Sequence, residues 1–295
     1  MQNVTYPRAE TLTDDRSRQF GGTQTERGDQ VLTTDRKELS FGVPGLRVFL
    51  GEDGVAVLLL DRPEKKNALT RAQWQALPGV LTRLAQEPGL RVLLLTGAGG
   101  AFSAGADITE LADVYASPEA ADEYHAVNVA AESALAAFPH PTLAVVDGPC
   151  VGGGCQLAVA CDLRFAARGA RFGITPAKLG IVYPSVPTAR LARLVGPARA
   201  KYLLYSAELV TADQALVFGL VDEVADAVQE RALAFARVLA SRSAQTQGAV
   251  KAVVDAVVTG GDAESAVEPW ERASRTTPDV REGLAAFLER RAPRF

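Results

Sequence analysis

With 295 residues, of which 47% are hydrophobic, the chain has material for one large domain or two small ones around a sizeable core. A net charge of −4 gives no global reason to expect nucleic acid, and no apolar run reaches the length of a membrane span. The three cysteines (Cys150, Cys155, Cys161) lack zinc spacing and the two histidines (His125, His140) form no ligand-like pair, so no metal is expected and the thiols read as buried residues of a reducing compartment.

Residues 1–40 mix acids, bases, Thr and Gln without a periodic apolar face, which predicts a mobile tail. They carry neither the apolar core of a secretory signal nor the acid-poor pattern of a mitochondrial presequence, so the expected location is the cytoplasm. From Leu46 the pattern becomes that of a folded domain. Residues 46–50 and 55–60, joined by Gly-Glu-Asp-Gly, predict a hairpin. Thr70 is placed to cap a helix running through Trp74, Leu77, Val80, Leu81 and Leu84. A buried strand is expected at 91–96, a mostly helical stretch to about Phe138, and further strands from Thr142 and at 163–167. Strands alternating with helices indicate an α/β domain. Helical periodicity then recurs at 198–206, 211–218, 226–241, 244–258 and 284–291.

Two stretches combine a buried strand, a glycine-rich turn and the start of a helix. One is Thr142–Val146 followed by Gly152-Gly153-Gly154 and Gln156–Ala160. The other is Arg91–Thr96 followed by Gly97-Ala98-Gly99-Gly100 and residues 101–108. Such turns leave backbone N–H groups unpaired, and the absence of Cβ lets a ligand approach the main chain. Two convergent donors make an oxyanion hole, which implies a carbonyl substrate whose oxygen gains charge. Alternatively, the glycines merely let helix and strand pack.

Four segments appear in order: Leu60-Asp61-Arg62-Pro63-Glu64-Lys65-Lys66-Asn67-Ala68-Leu69, Phe102-Ser103-Ala104-Gly105-Ala106-Asp107-Ile108, Gly152-Gly153-Gly154-Cys155-Gln156-Leu157 and Gly219-Leu220-Val221-Asp222-Glu223-Val224. Together they resemble the enoyl-CoA hydratase/isomerase (crotonase) superfamily over about residues 45–295. The resemblance implies an α/β, crotonase-like spiral of repeated ββα units. It implies an acyl-CoA-binding core over 41–200 and a C-terminal helical trimerisation region over 201–295, giving a homotrimer or homohexamer. The substrate it implies is an acyl-CoA thioester, with no permanently bound cofactor.

By position, the family's two enolate-stabilising N–H groups fall on Ala106 and Gly153. Lys65, Lys66 and Ala68 fall along the CoA path, and Ala106, Asp107, Ile108 and Thr109 beside the pantetheine and adenine end. A lysine pair after a strand is otherwise a solvated face. The departure is at the acid and base. Family hydratases use two glutamates, one to activate water and one to donate a proton. Here the first position holds Gln156 and the second falls most nearly on Pro176, in a stretch without a carboxylate.

Thr175-Pro176-Ala177-Lys178-Leu179-Gly180-Ile181-Val182-Tyr183 instead resembles the corresponding segment of the superfamily's methylmalonyl-CoA decarboxylases. That implies Tyr183 as the group that orients a carboxylate or reprotonates carbon; otherwise Tyr183 is an amphipathic turn residue. Lys178 reads as a surface lysine. Asp107, Glu110, Asp113, Glu123 and His125 follow the oxyanion turn and read first as solvated or capping residues, Asp107 as a helix cap and Asp162 as structural. Three readings stay open: hydratase or isomerase with other acid/base groups, decarboxylase working through the oxyanion hole and Tyr183, and a non-catalytic acyl-CoA-binding protein.

Overall fold

A computed structural model describes residues 24–295. In chain order its strands are β1 (Lys37–Leu39), β2 (Leu46–Leu50), β3 (Val55–Leu60), β4 (Val92–Gly97), β5 (Thr142–Val146), β6 (Pro149–Val151), β7 (Leu163–Ala167), β8 (Arg171–Gly173), β9 (Val210–Thr211) and β10 (Glu223–Ala225). Seven of them form one sheet in the order β1-β2-β3-β4-β5-β7-β10, and β6-β8-β9 form a second. The expected hairpin is present, with Leu46 opposite Leu60 and Leu50 opposite Ala56. From β3 onward the large sheet is parallel. The chain repeatedly lays one strand in each sheet and then turns: β5 to β6, β7 to β8. This is the α/β spiral that the resemblance implied.

The parallel strands are buried on both faces, which is why they read as continuous aliphatic runs rather than alternating ones. Leu58 and Leu60 of β3 face one layer with Trp74, Leu77, Leu81 and Leu84 of α2 (Arg71–Leu84), α1 being Gln24–Thr33. Val55, Val57 and Leu59 face the other side. Each such side chain contributes about 1.5–3 kcal/mol when fully buried. Helix α2 starts as expected: Thr70 accepts from the Gln73 N–H, and Gln73 returns a side-chain bond to the Thr70 N–H.

The second layer corrects the expected tail. Residues 24–39 form α1 and β1, and the Leu32 side chain is buried with Phe49, Val57, Val228 and Ala232. Arg36 pairs with Asp53 at 2.9 Å and donates to the Val55 carbonyl, while Asp29 accepts from the Gly99 N–H. A single buried leucine and polar latches hold this segment, so no periodic apolar face announces it. The remainder of that expectation, residues 1–23, lies outside the described residues.

The helices after α2 are α3 (Ile108–Val114), α4 (Pro118–Ala136), α5 (Gly153–Ala160), α6 (Ser185–Val195), α7 (Pro197–Ser206), α8 (Ala212–Phe218), α9 (Val228–Ala240), α10 (Ala244–Thr259), α11 (Ala263–Ser274) and α12 (Asp279–Glu289). The pattern had not shown α6 or α11, whose apolar spacing is interrupted by Pro187 and Pro269. Residues beyond 200 also build the core: β10 pairs with β7, and α9 covers the sheet face carrying Val57 and Val145. Among the described residues no helix is long and apolar enough to cross a membrane.

Candidate active site

Two turns meet at the carboxyl ends of the parallel strands. After β4 the chain passes Gly105, at φ +97°, to Ala106; after β6 it passes Gly152, at φ +55°, into α5 at Gly153. A Cβ on Gly105 would lie 2.8 Å from the Val151 carbonyl and 3.0 Å from the Gly153 nitrogen, so only glycine lets the turns approach this closely. A Cβ on Gly153 would sit 3.6 Å from the Ala106 nitrogen, which places the two amides side by side. Their neighbours are pinned. Leu69 N–H donates to the Gly105 carbonyl at 2.7 Å, Asp107 N–H to Leu69 at 2.9 Å, and Gly152 N–H to Gly173 at 2.8 Å. Among the described residues neither the Ala106 nor the Gly153 N–H donates a backbone hydrogen bond. These are the two positions on which, by the resemblance, the family's N–H donors fall.

Both amides open onto a cavity of about 130 Å³. Gln156 and Tyr183 line one side, Ile108, Leu111, Leu179 and Ile181 supply apolar wall, and Tyr115, Tyr124, His125 and Asn128 form its polar rim. Gln156 is buried, and its Oε1 accepts from the Tyr183 hydroxyl at 3.4 Å. Burial pushes the Tyr183 phenol well above its ordinary range, with Cys155 and Glu132 adding to the effect; it is a neutral hydroxyl at physiological pH. Burial also lifts Tyr124, to about 12. Pro176 lines the cavity at the start of a one-turn helix, whereas Lys178 is exposed and does not line it. No Asp or Glu is among the described residues of the lining.

The other candidates have identifiable places. Asp107 caps α3 through the Thr109 N–H and hydroxyl and pairs with Arg62 at 2.9 Å; these contacts hold its carboxyl below the usual range. Ile108 is exposed beside the cavity, and the Ala68 carbonyl accepts from Arg62 at 2.6 Å. Lys65 and Lys66 are exposed and, among the described residues, in no ion pair. Glu110 accepts from the Arg71 N–H at the start of α2, Glu123 pairs with Arg71, and Asp113 is exposed. The His125 Nε2 lies 3.0 Å from the Tyr115 hydroxyl. Asp162 ties β5 to α10 through the Thr142 N–H and Lys251. The three thiols are buried and unbridged, with burial pushing Cys161 up to about 12.

One residue was missed. Glu132 on α4 is 0% exposed, directed at Gln156 on one side and Arg190 on the other. The buried stripe of α4 runs Tyr124, Asn128, Ala131, Glu132, Leu135, so a carboxylate on the inward face was the available signal.

Comparison with known proteins agrees with this fold. A family model described as enoyl-CoA hydratase/isomerase matches residues 51–295. The chain is 34% identical over 249 residues to crotonyl-CoA hydratase of Syntrophomonas wolfei, covering 83% of this chain and 95% of that one. It is 34% identical over 251 residues to 2,3-dehydroadipyl-CoA hydratase of Escherichia coli, covering 82% and 94%. Among solved structures, an enoyl-CoA hydratase/carnithine racemase of Magnetospirillum magneticum superposes with a TM-score of 0.82 at 31% identity, over 88% of this chain and 96% of that one.

Proposed function

The chain belongs to the enoyl-CoA hydratase/isomerase family, and from that premise we propose that it binds a CoA thioester and stabilises its enolate with the N–H groups of Ala106 and Gly153. Two preorganised donors at a developing oxyanion supply several kcal/mol of transition-state stabilisation. The observation that supports this choice of chemistry is the lining without a carboxylate. Adding water across a double bond needs a base for the water and an acid for the carbon, and Gln156 and Pro176 supply neither. Loss of CO₂ from a malonyl-type thioester needs no base.

In this reading the substrate carboxylate is held out of the thioester plane. Its bond to the α-carbon breaks, and the electron pair passes to the thioester oxygen between Ala106 and Gly153 while CO₂ leaves. The enolate then takes a proton at carbon from the neutral Tyr183 hydroxyl, which water restores. No lysine or arginine is among the described residues lining the cavity, so no ion pair holds the carboxylate back in the ground state. The exposed Lys65 and Lys66 are the cations that meet the CoA phosphates, with residues 106–109 along the pantetheine.

The expected result is CO₂ release from a malonyl-type CoA thioester, with kcat about 100-fold to 1,000-fold lower in Tyr183→Phe. Hydration of crotonyl-CoA by the wild-type protein, with no CO₂ from any malonyl-type thioester, would overturn this reading in favour of a hydratase with another acid and base. If the wild type is silent towards both while binding thioesters, a binding role remains; gain of hydration in the double variant Gln156→Glu, Pro176→Glu then locates what was lost.

The same reading includes a homotrimer or homohexamer. It is supported by apolar stripes that the fold leaves exposed, Val250, Val254 and Val257 on α10 and Leu284, Phe287 and Leu288 on α12. Light scattering is expected to give three or six times the chain mass of 31.2 kDa. A monomer at micromolar concentration would contradict it.

A further inference from the structure

We propose that Glu132 is a positioning residue, fixing the amide of Gln156 and through it the hydroxyl of Tyr183 at the wall of the acyl-CoA cavity. The proposal deepens the decarboxylase reading and rests on it for the role of Tyr183.

Glu132 has no access to solvent, although a buried carboxylate is costly unless paired. Its Oε1 accepts from the Arg190 Nε at 2.5 Å, and its Oε2 faces the Gln156 Nε2 at 3.4 Å. The Gln156 Oε1 in turn lies 3.4 Å from the Tyr183 hydroxyl. Four side chains from α4, α6, α5 and the segment before α6 thus form one chain, and its polarity follows from what each group can do. An ionised carboxylate only accepts, so the amide turns its NH₂ towards Glu132. The amide carbonyl is then left for Tyr183, whose hydroxyl donates to it. Without the carboxylate the amide is free to rotate by half a turn. Its NH₂ would then face Tyr183, and the hydroxyl would lose its single resting place on the Gln156 carbonyl, from which it turns its proton to the substrate carbon.

At 3.4 Å both bonds are long and individually weak, and the short bond of the chain is the one from Arg190 to Glu132. Burial raises the Glu132 carboxyl above its ordinary range, while Arg190 and Gln156 pull it back towards the ionised form that fixes the amide. Packing alone gives no reason for a carboxylate here. A buried ion pair is weak evidence for stability: replacing both partners with apolar residues is often neutral, and the cost of removing one alone is that the other's charge is left buried and unpaired. The Arg190 side chain is about one-third exposed, so its guanidinium can turn to solvent when its partner is removed.

The test uses Glu132→Leu, which removes the acceptor at similar volume, and Glu132→Gln, whose own carbonyl can still accept from Gln156. With a malonyl-type CoA thioester, Glu132→Leu is expected to lower kcat at least tenfold with KM within twofold, and Glu132→Gln to recover much of that loss. In a Tyr183→Phe background Glu132→Leu should cost little more, because both variants break one chain. A second readout does not depend on turnover. The side-chain amide protons of Gln156, assigned in ¹⁵N-glutamine-labelled protein against Gln156→Leu, should shift in both Glu132→Leu and Tyr183→Phe. A wild type inert towards malonyl-type thioesters that still shows those shifts counts against the decarboxylase reading alone. Unmoved amide signals in Glu132→Leu, or a lower melting temperature with kcat intact, would overturn the role given to Glu132.

Discussion

Replacing Gly153 with proline is expected to lower enolate chemistry by 100-fold to 1,000-fold, the usual effect of deleting one oxyanion donor. The position suits the test. Gly153 is the first residue of α5, where the N–H has no partner within the helix and proline is tolerated. A new Cβ would meet the Trp74 indole, whose Cζ2 lies 2.8 Å from where that atom would be. Gly153→Ala therefore serves as the control, since it adds the same atom and keeps the donor. Ala106→Pro removes the other donor without involving Trp74 at that atom. The reaction to follow is loss of CO₂ from a malonyl-type CoA thioester, whose enolate forms at the oxyanion site without a base. The expected order is wild type, then Gly153→Ala within about tenfold, then both proline variants at about 3 kcal/mol of lost transition-state stabilisation. Equal losses in Gly153→Ala and Gly153→Pro would mean that displacement of Trp74, not the missing N–H, is responsible, and the oxyanion assignment would fall.

What could be read along the chain was what local chemistry dictates. The buried strands Val55–Leu60 and Val92–Gly97, the Thr70 N-cap and the two glycine turns are all local patterns, and each lies close to where it was expected. Segments held by long-range contacts were not legible. Helix α1 carries one fully buried leucine and is fastened through Asp29 to Gly99 and through Arg36 to Asp53. Strands of two or three residues, such as β8 and β9, have no pattern of their own and form because a partner strand passes beside them. The site divides in the same way. The two turns could be read from their glycines, and the resemblance then put the donors on Ala106 and Gly153. The chain from Glu132 to Tyr183 could not, since its members lie 24 and 27 residues from Gln156 and meet only when α4, α5 and the segment before α6 converge.

Asn67→Ala is expected to be the most destabilising single change near the site. The lysine-asparagine motif had been read through its lysines, but Asn67 is the buried member, 1% exposed and at φ +55°. Its Nδ2 donates to the carbonyls of Ala98 and Ala101 at 2.8 and 2.6 Å, and its Oδ1 accepts from the Arg62 N–H at 2.9 Å. Its own carbonyl accepts from the Ser103 hydroxyl, which also receives the Gly105 N–H. The turn after β3 is thereby fastened to the turn that presents Ala106. Alanine would leave two carbonyls and one N–H without their side-chain partner, each worth about 1–3 kcal/mol when buried, and would add the strain of a left-handed Cβ residue. The sum is about 4 kcal/mol or more, readable as a shift of the denaturation midpoint in urea at fixed protein concentration. Asn67→Gly separates the contributions, because it removes the same hydrogen bonds while tolerating positive φ. It should fall about 1 kcal/mol less than Asn67→Ala. If both variants unfold within 1 kcal/mol of wild type, water or backbone movement replaces the latch, and the oxyanion turn is held by the glycines and the Leu69 bridge alone.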